Sequence, residues 1–176
     1  MTSPFDRDLM AFALHEARYS LSQDQLPVGA VVADRAGTVW GRGAKSPHAH
    51  WRLDHAEMVA LRTAVQPHPA ASRSAADDFL ASLTLYTTLE PCVMCIGAIM
   101  NCRIPRVVYA LEDPYGGGTG LLKTGRPPRH ENEYPNINGG LMREQSVDLF
   151  RQYFKTTGNT FWQNPDNPLV CLCLGL

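Results

Sequence analysis

The sequence predicts an α/β sandwich built as one domain, and three observations carry that expectation. Apolar residues recur at helical spacing in several stretches, short β-branched runs alternate with them, and Gly, Pro and Asn clusters punctuate the joins. At 176 residues and 44% apolar content, the chain can bury a sizeable core without help from disulfides.

Ser3-Pro4 reads as an N-cap followed by a first-turn proline, and Met10, Ala13, Leu14, Ala17 and Leu21 follow at helical spacing. A first helix is expected from about Phe5 to Leu21. Val28 to Ala33 is short, apolar and β-branched, Asp34-Arg35-Ala36-Gly37 is a turn, and Thr38 to Gly41 resumes extended structure, which makes a β-hairpin. Ala44 to Asp54 is a polar loop rich in His and Pro. It delivers the chain to a helix over His55 to Val65, carried by Met58, Ala60, Leu61 and Val65. Gln66 to Asp78, with Pro67 and Pro69, reads as a breaker segment.

Leu83 to Thr88 is the next strand, Cys92 to Cys102 a largely buried helix, and Arg106 to Ala110 a further strand. Strand, helix, strand, helix, strand in the middle of the chain implies parallel pairing through right-handed crossovers. Leu111 to Gly140 is irregular, with Gly116-Gly117-Gly118 and Pro127-Pro128, and holds a short edge strand around Tyr134 to Asn138. Long loops of this type often carry substrate contacts, although a mere connector reads the same way. Val147, Leu149, Phe150, Tyr153 and Phe154 predict a final helix over Arg143 to Lys155. The expected organisation is a domain over residues 1–155 and a C-terminal tail over 156–176 that ends in an apolar Cys-x-Cys stretch.

A net charge of −1 and an isoelectric point near 6.6 give no basic excess of the kind a dedicated nucleic-acid binder carries. The first residues lack a basic and apolar leader pattern, and no apolar run approaches about eighteen residues. A soluble cytoplasmic protein with no membrane segment is therefore expected. Five cysteines, two of them in a C-x-x-C, suit metal binding in a reducing compartment better than a disulfide framework.

The chemistry concentrates in His55-Ala56-Glu57 and Pro91-Cys92-Val93-Met94-Cys95. A catalytic zinc needs three protein ligands and an open position, and one histidine with two thiolates is such a set: His55, Cys92 and Cys95. Residues i and i+3 share a helix face, so Cys92 and Cys95 can aim both sulfurs at one ion while the helix N-terminus stabilises their charge. Glu57 is then free as a proton carrier instead of a fourth ligand. Two other classes compete: a redox C-x-x-C pair, and a catalytically silent zinc scaffold or RNA-binding module. A structural zinc would need four ligands and no spare carboxylate. Cys102 reads as a small buried hydrophobe, Cys171 and Cys173 as ordinary thiols, and His48 and His50 as loop histidines that are usually solvated.

The order H-x-E then P-C-x-x-C is the signature of zinc nucleobase deaminases. With Leu26-Pro27-Val28-Gly29-Ala30-Val31 and Leu85-Tyr86-Thr87-Thr88-Leu89-Glu90 around it, the chain resembles the cytidine deaminase superfamily, in the branch of tRNA adenosine deaminases and guanine deaminases. The likeness spans about Phe5 to Phe154. It implies a three-layer α/β/α sandwich with a mixed five-stranded sheet, a homodimer, and one zinc per subunit. It also implies a hydrolysis in which zinc hydroxide attacks the ring carbon and ammonia leaves, with Glu57 moving the protons. Val28, Gly29, Ala30, Thr88, Leu89, Glu90 and Pro91 would border the base. Val28, where guanine deaminases tend to carry Phe, and Asp113, matched by Asp in the tRNA enzymes, favour an adenosine-type substrate, in tRNA or as a free nucleoside or base. Tyr115 falls where a guanine deaminase would place a second acid, which disfavours guanine; guanine or another amino-heterocycle is the alternative.

Two features depart from the family. Lys45 stands where a loop asparagine would grip the base or sugar, and a cationic donor cannot accept as an amide does; it can pair with a phosphate or carboxylate on a different substrate, or simply point to solvent as exposed lysines do. The aromatic and apolar tail replaces a basic helix and can cover the pocket mouth or a dimer surface. Arg103, Arg106, Lys123, Arg126 and Arg129 are candidates for an RNA-facing patch, or a scattered solvated surface.

Overall fold

A computed structural model describes residues 4–47, 52–66 and 73–176. Ser3, His48 and His50 lie outside the described residues. The first helix, α1 (Asp6–Ser22), starts one residue later than expected, with Phe5 at its N-cap position. Two strands follow, β1 (Gly29–Ala33) and β2 (Val39–Ala44), joined by a turn in which the Asp34 carboxylate accepts from the Ala36 and Thr38 amides. Gly37 supplies the left-handed backbone there, at φ 85°.

Next come α2 (Ala56–Val65), α3 (Arg73–Leu80), β3 (Thr84–Leu89), α4 (Val93–Asn101) and β4 (Arg106–Leu111). The remaining elements are α5 (Thr119–Thr124), β5 (Asn136–Asn138), α6 (Arg143–Thr156) and α7 (Pro168–Leu174). The strands form one mixed five-stranded sheet in the order β2-β1-β3-β4-β5.

β3 and β4 pair in parallel around α4, as the strand–helix–strand order implies. β2 and β3 point the same way but do not touch, because β1 lies between them and pairs antiparallel with both. The hairpin fixes one edge of β1, and its other edge takes β3. Such a central strand is buried on both faces, so it reads as a continuous apolar run. Ala30 and Val32 face a cluster with α2 and α4, while Val31 and Ala33 face a cluster with α1. The alternation continues in β3 and β4, where Leu85 and Val107 join the first cluster and Tyr86 and Val108 the second.

Gly41 and Gly43 let α2 lie directly on β2: a Cβ at Gly43 would stand 2.0 Å from the Ala56 carbonyl oxygen. On the far face, Arg106 donates to both carboxylate oxygens of Asp6 at 2.8 Å, and the Tyr86 hydroxyl donates to Asp6 at 2.7 Å. That buried fork ties the start of α1 to β3 and β4.

The structure corrects the breaker reading of residues 66–78, since α3 begins within it. Its Ala75 and Ala76 favour helix, and Phe79 anchors it edge-on to Trp40 at 5.0 Å. The tail is ordered onto the body as well. Asn167 caps α7 by accepting from the Leu169 and Val170 amides, Pro168 takes the first turn, and Leu169, Val170 and Cys173 join the same cluster as α6.

Candidate active site

Two helix N-termini meet at the site. His55 is the N-cap residue of α2 and Cys92 that of α4, both with extended backbone, so each lies just before its helix and Cys95 falls in the first turn of α4. His55 Nδ1 lies 3.5 Å from each sulfur, and the sulfurs are 3.6 Å apart. A tetrahedral zinc with ordinary bond lengths has ligand edges of about 3.6 Å for N–S and about 3.8 Å for S–S. The three donors thus fit one zinc ion, leaving one position open.

The protonation pattern agrees with a metal-binding set. The Cys92 thiol is held down to about 4, chiefly by its hydrogen bond with Cys95 and also by His55, while that same bond and burial push Cys95 far up. A bound zinc would hold both sulfurs as thiolates. Glu57, in the first turn of α2, is buried, and its carboxyl is raised above the ordinary carboxylate range by that burial.

A chamber of about 230 Å³ opens on this set. His55, Glu57 and Cys92 form its floor, and Leu26, Val28, Lys45, Leu89, Asp113 and Trp162 contribute to its walls. Five residues expected near the base therefore reach it: Val28, Lys45, Leu89, Glu90 and Asp113. Gly29, Ala30, Thr88 and Pro91 do not line it; they hold the wall from behind. The Gly29 amide donates to Thr88 Oγ1 at 3.0 Å, Ala30 is in the core, and the Pro91 carbonyl accepts from the Gly118 amide at 2.8 Å.

Glu90 spends its carboxylate on the loop beyond β4. One oxygen accepts from the Asp113 amide at 3.1 Å, and the other from the Thr119 amide and hydroxyl. Asp113 in turn accepts from the Tyr115 and Gly116 amides, both at 2.9 Å, and its carboxyl is raised, first of all by burial. The glycines at 117 and 118 are needed because Cβ atoms there would collide with the Glu90 carboxyl and with the Val93 amide. This part of the irregular loop props the start of α4 and forms chamber wall, so it is more than a connector.

Lys45 points inward. Burial lowers its ammonium, and the Glu57, Cys95 and Cys92 charges act in the opposite sense. Sequence reasoning over the binding residues missed Leu26, Ala56 and Gly116, used Tyr115 only to weigh guanine, and offered Trp162 only within a tail that can cover the pocket mouth or a dimer surface. Trp162 was signalled by the Phe161-Trp162 pair in an otherwise polar stretch. It arrives through a run of ring contacts: Phe154 to Trp162 at 5.7 Å, Trp162 to Phe161 at 4.8 Å and Phe161 to Tyr115 at 5.9 Å. Of the basic residues that offered an RNA-facing patch or, more simply, a scattered solvated surface, two are engaged in ion pairs. Arg106 is taken up by Asp6 and Tyr86, and Arg103 pairs with Asp77 and Glu133, so neither is a spare cation.

A family model described as the cytidine and deoxycytidylate deaminase zinc-binding region matches residues 3–111. The chain belongs to this family of zinc-dependent hydrolytic deaminases. Among its curated relatives, the tRNA-specific adenosine deaminase of Haemophilus influenzae is 36% identical over 161 residues, covering 87% of this chain and 85% of the relative. The tRNA(Ile)-lysidine synthase of Deinococcus deserti is 32% identical over 162 residues; the match takes 89% of this chain but spans only 28% of that longer protein. A solved structure from studies of A-to-I editing by tRNA:A34 deaminases matches with a TM-score of 0.66 at 31% identity, covering 81% of this chain and 98% of that one. The guanine deaminase from Nitrosomonas europaea matches with a TM-score of 0.66 at 26% identity, covering 87% and 85%. Among the described residues, no helix of this cytidine deaminase-family chain is long and apolar enough to cross a membrane.

Proposed function

We propose that this chain hydrolyses the exocyclic amine of a purine-type nucleobase, with an adenosine-type base preferred, in tRNA or as a free nucleoside or base. The observation that carries the reading is the buried Glu57 at the floor of a small chamber beside a three-donor zinc set. A structural metal site would use a fourth donor and no spare acid. A bound zinc supplies an acidified water at the open position. Glu57 takes that water's proton and passes protons to the ring nitrogen and the departing amine, a task suited to a carboxyl whose burial favours its protonated form. Cys92, Cys95 and His55 hold the metal, and Val28, Leu89 and Trp162 present an apolar wall that excludes water from the ring.

The chamber volume is below the usual range for whole drug-sized ligands and suits one heterocycle. The adenosine preference is supported by the tRNA adenosine deaminase relatives and by Asp113 and Val28 in the wall. Guanine or another amino-heterocycle is the second reading, favoured by the guanine deaminase likeness and by Trp162 of the tail in the chamber wall. We further place the protein in the cytoplasm as a homodimer. The outward Val93 of α4 and Leu121 of α5 are exposed apolar residues of the kind a subunit contact covers.

The test is ammonia release by zinc-loaded protein across free bases, nucleosides and tRNA, with chelated protein as control. Zinc-dependent release from adenosine or from tRNA is expected. Release from guanine alone would move the assignment to the second reading, and none from any of them would contradict it.

A further inference from the structure

A second cavity, of about 780 Å³, adjoins the chamber, and the two share Leu26, Lys45, His55 and Trp162. A side chain in the walls of both stands between them, and Trp162 is the largest of the four. Leu26, Lys45 and His55 come from the part of the chain that builds the sheet, whereas Trp162 comes from a short 3₁₀ turn (Thr160–Gln163) in the tail. That turn is fixed at both ends. The buried Thr157, just past α6, accepts through its hydroxyl from the Asn159 amide at 3.2 Å and through its carbonyl from the Gln163 side chain at 3.0 Å. Asn159 in turn accepts from the Phe161 amide at 3.1 Å and the Trp162 amide at 3.0 Å. Downstream, Leu169, Val170 and Cys173 of α7 are seated in the core.

The indole is braced as well. The buried Phe154 lies 5.7 Å from it, and Phe161 meets it at 4.8 Å with the two planes 87° apart. Phe161 lines the outer cavity, Tyr115 lines the chamber, and the two rings touch at 5.9 Å while each stays about half exposed. Tail and loop thus clasp where the two spaces adjoin. We infer that Trp162 is a specificity-determining residue: its indole is a contact surface for the substrate ring and the partition that limits the chamber to one ring system, with Phe161 and Tyr115 as the clasp that holds it. The inference rests on the deaminase reading above and deepens it. Leu26, Val28, Ala56 and Leu89 in the chamber wall are aliphatic, so the aromatic surface comes from Trp162 and the more exposed Tyr115. Heterocyclic bases stack on such a surface whatever their pattern of donors and acceptors. A substituent that crossed into the outer cavity would have to displace a ring held by an anchored turn, and a close-packed wall of that kind rejects by size.

The experiment titrates adenine, guanine and adenosine, each beside its 8-phenyl derivative, calorimetrically into zinc-loaded protein, with ammonia release followed in parallel. The added ring sits at C8, remote from the reacting amine. Wild-type protein should bind its preferred parent at least about tenfold more tightly than the derivative. Trp162→Ala should weaken the parent by about tenfold or more, as loss of a stacking partner does, and bring the parent-to-derivative ratio to unity or invert it. Trp162→Leu, which keeps apolar bulk without a ring, should weaken the parent as well and carries the test if Trp162→Ala fails to fold. Tryptophan emission gives a second readout: the parent should quench it in wild type but not in Trp162→Phe, where Trp40 and Trp51 remain. No measurable binding of any parent, a ratio that Trp162→Ala and Trp162→Leu leave unchanged, or a quench that persists in Trp162→Phe would overturn the inference. Because binding is read without turnover, a Trp162-dependent preference with no ammonia would sink the deaminase reading and leave the partition standing. Ammonia release by a protein whose preference ignores Trp162 would do the reverse.

Discussion

Gly43→Ala is expected to cost this protein its zinc as well as its stability. The added Cβ would stand 2.0 Å from the Ala56 carbonyl oxygen and 2.7 Å from the Ala60 amide nitrogen. Ordinary contact begins at 3.4 Å, so the start of α2 must retreat by about 1.4 Å, and both obstacles are backbone that no rotamer change can move. His55 is the residue immediately before Ala56, and its Nδ1 is held 3.5 Å from each sulfur. Zinc bond lengths tolerate only about 0.2 Å of error, so a shift of this size leaves the histidine out of range. Overpacking of this kind costs about 3 kcal/mol, the upper part of its usual span, which for a chain of this size lowers Tm by about 6–12 °C. Zinc affinity should fall by at least about 100-fold, more than for loss of a partner that merely orients a ligand. Thermal unfolding and a chelator competition assay measure the two effects, with Gly120→Ala as control because no atom lies within 4 Å of its Cβ position. Gly43→Ala protein with unchanged Tm and zinc affinity would refute the argument that β2 and α2 together set the histidine.

Three further outcomes follow from the same geometry. Asp6→Ala strips the near-buried Arg106 of both its carboxylate bonds and should destabilise by about 3–5 kcal/mol in chemical denaturation; a loss below about 1 kcal/mol would mean the fork is not a structural tie. Arg143 donates to Glu112 and holds its carboxyl below the ordinary 4.5, so the pair's contribution is present above that pH and is lost as pH falls through the lower folded value. The difference in Tm between wild type and Glu112→Gln should therefore be full at neutral pH and shrink below about pH 4.5; a constant difference would contradict the assignment. Zinc at about 100 times its dissociation constant should stabilise the protein by about 2.7 kcal/mol, and Cys95→Ser should abolish the effect; an equal Tm with and without zinc would mean that no native site binds it.

Much of this was legible in the residues, for physical reasons. The ligand set could be read because its spacing is local: a histidine at a helix start, and two cysteines three apart where the next helix begins. α1 and α6 showed their periodicity because each buries one stripe and exposes the other. The role of β1 was hidden, since a strand buried on both faces records its burial but not its neighbours, and only the fold reveals that it separates β2 from β3. α3 escaped notice because prolines just upstream masked a short helix that depends on Phe79 meeting Trp40. The chamber walls were half legible. Val28 and Asp113 belong to recognisable motifs, but Trp162 reaches the site through ring contacts from a tail with no local signal for where it folds. Lys45 was visible as a departure from the family, and the fold supplied what the sequence lacked: its place on the boundary of two cavities.

The central claim is that Glu57 moves protons at a zinc site it does not help to build, and zinc content measured beside ammonia release for wild type and Glu57→Ala tests it most directly. Both proteins should hold one zinc per chain, while the variant's ammonia release falls by at least about 10²–10⁴-fold. A folded variant that has lost its zinc, or one that releases ammonia at the wild-type rate, would contradict the account.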